Sequence, residues 1–509
     1  MMQKLLLSLL IFLLLVGSSF AATLNLGIAS EAMSMDPFAH NETATNSILS
    51  NIFDTLIRFD ADYQLVPGLA TSWKALDEKT WEVKLRKGVT FHNGNIFNAD
   101  DVLFSFDRMK NWELSAFKTN VGAVDRVEKI NDYVVRFSTK GPFPLFPRKM
   151  TYLKIFDQEF SADKTPEYFA THPLGTGPYI FDKWVRGATL TLKGNTAYWA
   201  GAPDFNRVVF KTLTNDSTRV AAILSNEVDL INRVPVKDVN RIKRSKNFIM
   251  KPGLRLIYLQ MDHPRTDSPY VTGKINPFAD IRVRRAIYYA INANNIVKYI
   301  MNGFAKPAGQ FQPDVVFGFD DSIKRVNFDP VKAKKLLAEA GYPNGFEVVL
   351  DGPNNRYVND EQILQAVASD LAKVKIKVKV NAMPKSAYFP KMLKADSSFN
   401  LMGWANADGD ASSFLNTCVH TRMDDKSYGR INGGRYSNAE VDQLIESSNI
   451  TIDQAERLKL MQKAQKIALL DEQSIIPLHY QVDLYAFNDK ITFKPRIDSY
   501  LYAFEINKK

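Results

Sequence analysis

Leu85-Arg-Lys-Gly-Val-Thr-Phe-His-Asn-Gly-Asn-Ile-Phe-Asn-Ala-Asp-Asp-Val-Leu-Phe-Ser-Phe-Asp-Arg108 is the stretch from which the fold is read. Just before and into it, Trp81, Val83 and Leu85 alternate with Glu82, Lys84 and Arg86, which predicts a strand with one buried face. His92-Asn93-Gly94-Asn95 supplies turn residues. Asn98-Ala99-Asp100-Asp101 then has the form of a helix cap followed by carboxylates in the first turn, and Val102, Phe106 and Met109 mark the buried side of the helix. Nothing in this strand, turn and helix is chemically reactive.

The order of residue types in the stretch resembles the signature of the family 5 extracellular solute-binding proteins, the dipeptide-, oligopeptide- and nickel-binding receptors of bacterial ABC importers. Other segments resemble the same family: Asn51 to Leu56, Leu65-Val66-Pro67-Gly68-Leu69-Ala70 with Trp73, and His172-Pro173-Leu174-Gly175-Thr176-Gly177-Pro178-Tyr179. So do the helices opening at Asp280 and Asp329. The resemblance implies a periplasmic-binding-protein-like α/β clamshell of two lobes with an extra inserted domain and two hinge-crossing strands. One lobe is expected from 22–52, 164–262 and 478–509, a small inserted domain from 53–163, and the second lobe from 263–477. Leu254 to Met261 and Ile475 to Tyr480 are the expected crossings, and two such strands make a hinge.

At 509 residues the chain is too long for one ordinary core, which agrees with two or three domains. Met1 to Ala21 carries Lys4, an apolar run from Leu5 to Val16 and small residues at Ser19 and Ala21, and is expected to be an export signal cleaved before Ala22. No cysteine stands near that point, so a soluble periplasmic protein is expected rather than a lipoprotein. The single cysteine, Cys418, excludes an internal disulfide. The net charge of +10 is spread along the chain without a polybasic tail and reads as a solvated surface, with no nucleic-acid partner expected. Lys373, Lys375, Lys377 and Lys379 alternate with apolar residues and predict a strand, and Arg282, Arg284 and Arg285 at a helix start are expected to pair with carboxylates.

Signatures of catalysis are missing. There is no G-x-S-x-G and no H-E-x-x-H, and the Walker pattern fails around Gly273-Lys274 because Ser268 and Ile275 replace required residues. The six histidines are too dispersed for local metal spacing. A calcium loop starting at Asn406 fails at Ala411 and Thr417. No enzyme activity, metal or cofactor is expected.

By resemblance, the ligand site involves Glu31, Ala32, Met33 and Ser34 on one side and Gly403, Trp404, Ala405, Asn406, Asp408 and Asp410 on the other, with Tyr480 nearby. In peptide-binding relatives the glycine-tryptophan strand offers main-chain groups to an extended peptide. Those relatives hold the peptide's amine with an aspartate three residues after the tryptophan, but here that residue is Ala407, which leaves Asp408 or Asp410 to replace it or a ligand without a free amine. The arginine that often precedes the Gly-Trp pair is replaced by Leu401-Met402. The expected function is that of a monomeric binding component that delivers a peptide to an inner-membrane ABC permease. An oligosaccharide or metal chelate is the alternative ligand, and a periplasmic hydrolase the rival class.

Overall fold

A computed structural model describes residues 22–423, 425 and 428–509, so the expected export signal lies outside the described residues. The strand predicted around Trp81 spans Thr80–Leu85, with Trp81, Val83 and Leu85 buried. It pairs with Ala70–Asp77 on one side and Val134–Thr139 on the other, and Val124–Asn131 completes a four-stranded antiparallel sheet. The helix that follows, Ala99–Asn111, begins with a reciprocal cap. Asn98 Oδ1 accepts the Asp100 N–H at 2.7 Å, and Asp101 Oδ2 accepts the Asn98 N–H at 2.8 Å, so donors that have no intrahelical partner are satisfied. Val102, Phe106 and Met109 are buried, and Phe106 meets Phe137 of the sheet edge-on at 5.7 Å. Phe38 and Phe169 join this core from the flanking segments.

A larger sheet of eleven strands carries the rest of the fold. In one half the first strand, Thr23–Ile28, runs parallel to Arg207–Thr212, and in the other Glu347–Pro353 runs parallel to Lys377–Met383. The outbound strand Asn247–Met261 and the return strand Ile475–Phe487 pair antiparallel and belong to both halves. Their ladder is irregular in the middle: Pro252 faces Val482 and Leu256 faces Tyr480, so four steps along one strand oppose two along the other. Gly253, Leu254 and Arg255 stand opposite Gln481 alone, a surplus of two residues, and a second shift follows between Ile257 and Tyr258; irregularities of this kind bend a strand pair. One sheet therefore runs through both halves, with this pair at the junction.

Alternation explains why the second half of the outbound strand is almost wholly apolar. Ile257, Leu259 and Met261 point into one core, and Leu256 and Tyr258 into another on the opposite face. A strand covered on both faces has no wet side to encode.

Local signals hold at two further helices. Asp280 caps Ile281–Ala290, and Asp329 caps Pro330–Glu339, which ends before Gly341 at φ +91°. Two expectations are corrected. The strand predicted over the four alternating lysines begins only at Lys377, because Lys373 caps the end of the helix Asp360–Ala372 and Lys375 turns with φ +66°. Of the three arginines, among the described residues only Arg282 forms an ion pair, with Asp280. Arg284 donates to the carbonyls of Phe278, Ala279 and Glu472, and Arg285 to those of Leu470 and Asp471, which fastens loop and helix ends.

Candidate functional site

The Gly-Trp strand is Phe399–Ala405, paired along one edge with the outbound strand so that Arg255 faces Ala405, Leu256 faces Trp404 and Ile257 faces Gly403. On the other edge, Glu347–Pro353 meets it only between Asp351 and Asn400. Beyond that point two tyrosine hydroxyls stand in for a neighbouring strand. Tyr388 donates to the Leu401 carbonyl at 2.6 Å; Tyr357 accepts the Gly403 N–H at 2.9 Å and donates to the Gly403 carbonyl at 3.2 Å. The main-chain groups expected to face a ligand are thus held by Tyr357 in this arrangement. Glycine is required there, because a Cβ on residue 403 would come within 2.7 Å of the Tyr357 ring.

A cavity of about 350 Å³ opens beside this edge, at the lower end of the ~300–1,000 Å³ common for small-ligand sites. Gly403, Trp404 and Ala405 line it, together with Arg255, Arg356 and Arg430. The Trp404 indole N–H donates to Ser413 Oγ at 3.2 Å, which fixes the ring as a wall. Among the described residues, neither Arg255 nor Arg356 has a carboxylate within ion-pair distance.

The loop after the strand contacts the small four-stranded unit. The Ala407 carbonyl accepts the hydroxyls of Tyr63 and Tyr152, both phenols that burial keeps protonated by pushing them well above their ordinary range. Asp408 accepts from Lys149 at 2.8 Å and from Tyr152 at 3.1 Å, and its carbonyl accepts from Arg148 at 3.2 Å. Asp410 is fully buried, and Arg457 grips both its oxygens at 2.7 and 2.8 Å. Burial pushes the Asp410 carboxyl up, but the Arg457 guanidinium, aided by Arg148 and Ser412, outweighs it and holds the group at about 2. Asn406 is buried, its N–H directed at the Leu254 carbonyl.

Glu31 to Ser34 follow the first strand, on the other lobe. Glu31 accepts the Gly187 N–H at 2.8 Å, the Met33 N–H donates to Thr45 Oγ1 at 2.9 Å, Ser34 Oγ accepts the Asp36 N–H at 3.0 Å, and Ala32 is buried. The Met33 side chain is 56% exposed. Tyr480 is buried in the core beneath the Gly-Trp strand, and its hydroxyl donates to the carbonyls of Gln310 and Gln312 at 2.9 and 2.7 Å. The structure therefore brings Gly403, Trp404 and Ala405 to one cavity, gives Asp408 to the contact with the small four-stranded unit and Asp410 to an internal ion pair, and leaves Glu31 to Ser34 with partners of their own. Sequence reasoning missed Arg255, Arg356 and Tyr357. A lone arginine after a glycine in an apolar strand, Gly253-Leu254-Arg255-Leu256-Ile257, was the available signal.

Burial leaves His92 and His479 neutral at physiological pH, both lowered to about 4. Among the described residues no group of three or more His, Cys, Asp or Glu side chains is placed to hold a metal ion, and no helix is long and apolar enough to cross a membrane.

The family model for bacterial extracellular solute-binding proteins, family 5 (middle), matches residues 64–425. The dipeptide-binding protein of Escherichia coli (strain K12) is 27% identical over 465 residues, covering 85% of this chain and 84% of that protein. The glutathione-binding protein GsiB of Shigella flexneri serotype 5b is 29% identical over 478 residues, covering 91% and 90%. Among solved structures, HbpA2 from Haemophilus parasuis superposes with a TM-score of 0.84 at 25% identity, covering 96% of this chain and all (100%) of that one. The periplasmic binding protein DppA from Helicobacter pylori, in complex with the peptide STSA, gives 0.75 at 27% identity, covering 96% and 98%.

Proposed function

The chain belongs to family 5 of the bacterial extracellular solute-binding proteins, and from that premise we propose that it is a monomeric periplasmic receptor that takes up a short peptide between its lobes and hands it to an inner-membrane ABC permease. Members of this family are binding proteins, and this chain acts by binding without turnover. The observation that carries the reading is the cavity beside the unpaired edge of the Gly-Trp strand, at the bend shared by both lobes. An extended peptide can take the place of the Tyr357 hydroxyl on Gly403, gaining backbone hydrogen bonds that read no side chain. A ligand favours closure only through contacts it makes in the closed state and loses in the open one, and a site at the bend supplies them.

Mass spectrometry of small molecules released from natively purified protein tests the proposal, followed by calorimetry with what is found. Stoichiometric binding of a peptide without hydrolysis is expected. A bound saccharide or metal chelate would replace the peptide reading, and steady turnover of the ligand would replace the receptor reading.

A further inference from the structure

The residues lining the cavity include three arginines, Arg255, Arg356 and Arg430, the latter two exposed to solvent, and, among the described residues, no Asp or Glu. Arg255 is part-buried and lies close enough to Arg356 for their charges to repel; burial first, then Arg356, pulls its pKa below the ordinary arginine range. Both also approach the Tyr357 ring, at 5.9 and 5.3 Å, which partly offsets the charge without neutralising it. Like charges gathered at a cavity repel, with Asp483 offsetting the charge of Arg255 only in part, and an anion placed between them relieves that repulsion while gaining forked hydrogen bonds.

Three carboxylates of the neighbouring segments have partners of their own. Asp408 is bound by Lys149 and Tyr152, Asp410 by Arg457, and Asp483, whose charge reaches Arg255 from the return strand, accepts the Ser499 hydroxyl. A ligand ammonium in this cavity would face arginines and, among the described residues that line it, no carboxylate, a costly arrangement out of water.

We propose that the ligand carries at least two acid groups, received by Arg255 and Arg356, and is held without any carboxylate partner for an amine. The proposal rests on the receptor reading above and narrows its ligand to acidic or N-blocked acidic compounds.

Calorimetry with three probes separates the two readings: N-acetyl-Asp-Glu, the neutral free-amine dipeptide Ala-Ala, and citrate, a tricarboxylate without a peptide bond. N-acetyl-Asp-Glu is expected to bind about tenfold or more tightly than Ala-Ala, to weaken as salt is raised, and to lose a similar factor in Arg255→Gln and in Arg356→Gln, each checked for an unchanged melting temperature. Binding of citrate without either dipeptide upholds the acid assignment and overturns the peptide reading. Equal or tighter binding of Ala-Ala, or affinity for N-acetyl-Asp-Glu unchanged in both variants, overturns the acid assignment and leaves the peptide reading standing. Failure of all three probes to bind overturns it as well.

Discussion

Lys149 and Asp408 form a part-buried ion pair of 2.8 Å that ties the small four-stranded unit to the loop after the Gly-Trp strand. Tyr152 adds a second bond to the same carboxylate. Each of these contacts favours the conformation in which the loop and the small unit meet.

Asp408→Asn should therefore loosen closure for every ligand alike. We expect a larger radius of gyration by solution scattering in the ligand-free state and affinities lower by about fivefold, or about 1 kcal/mol. A loss confined to peptides with free amines would instead return the amine-binding role to Asp408.

Arg457→Met would leave the buried Asp410 carboxylate with Ser412 as donor and, among the described residues, Arg148 at 3.5 Å as its remaining cation. The expected loss is about 3–5 kcal/mol in urea unfolding, and Arg457→Met combined with Asp410→Leu should recover much of it. In the native protein this pair works above the unfolded aspartate pKa of about 3.9, and its contribution is lost as pH falls toward about 2. Equal stability of the single and double variants would show that the buried charge is not what matters.

Tyr357→Phe removes the hydroxyl that serves both main-chain groups of Gly403. The empty protein should lose about 1 kcal/mol, measured by denaturant unfolding. Affinity for a peptide that pairs with the strand should hold or rise, since its competitor is gone. A matching drop in affinity would place Tyr357 among the ligand's own contacts.

Lys154 is 4% exposed, and burial lowers its ammonium to about 8, with Asn46 Oδ1 its hydrogen-bond acceptor at 3.4 Å. Below that pH the folded protein keeps a charge it disfavours. Between about 8 and the unfolded lysine value near 10.4 the unfolded chain binds more protons, so stability from this group rises with pH. Lys154→Met should be more stable at neutral pH by about 2–3 kcal/mol and should lack that rise; identical pH profiles for the two proteins would contradict it.

What the sequence made legible was local. The alternation at Trp81 and Val83 and the caps at Asn98, Asp280 and Asp329 act over a few residues, and the structure has each in place. Lys375 misled because alternation continues through a turn that the chain makes with positive φ. The site was legible in part: Gly403 and Trp404 do line the cavity. Its partners were hidden by separation, since Tyr357 reaches Gly403 from 46 residues away and Lys149 reaches Asp408 from 259. Spacing along a chain carries no record of such encounters.

The unequal step between Pro252–Leu256 and Val482–Tyr480 has a mechanical meaning. The surplus backbone interrupts the ladder where the two halves of the sheet are joined, so bending the pair there breaks fewer hydrogen bonds than bending it elsewhere. Arg255 stands in that interruption. A charge brought to Arg255 would act where the two strands are least held by their own pairing.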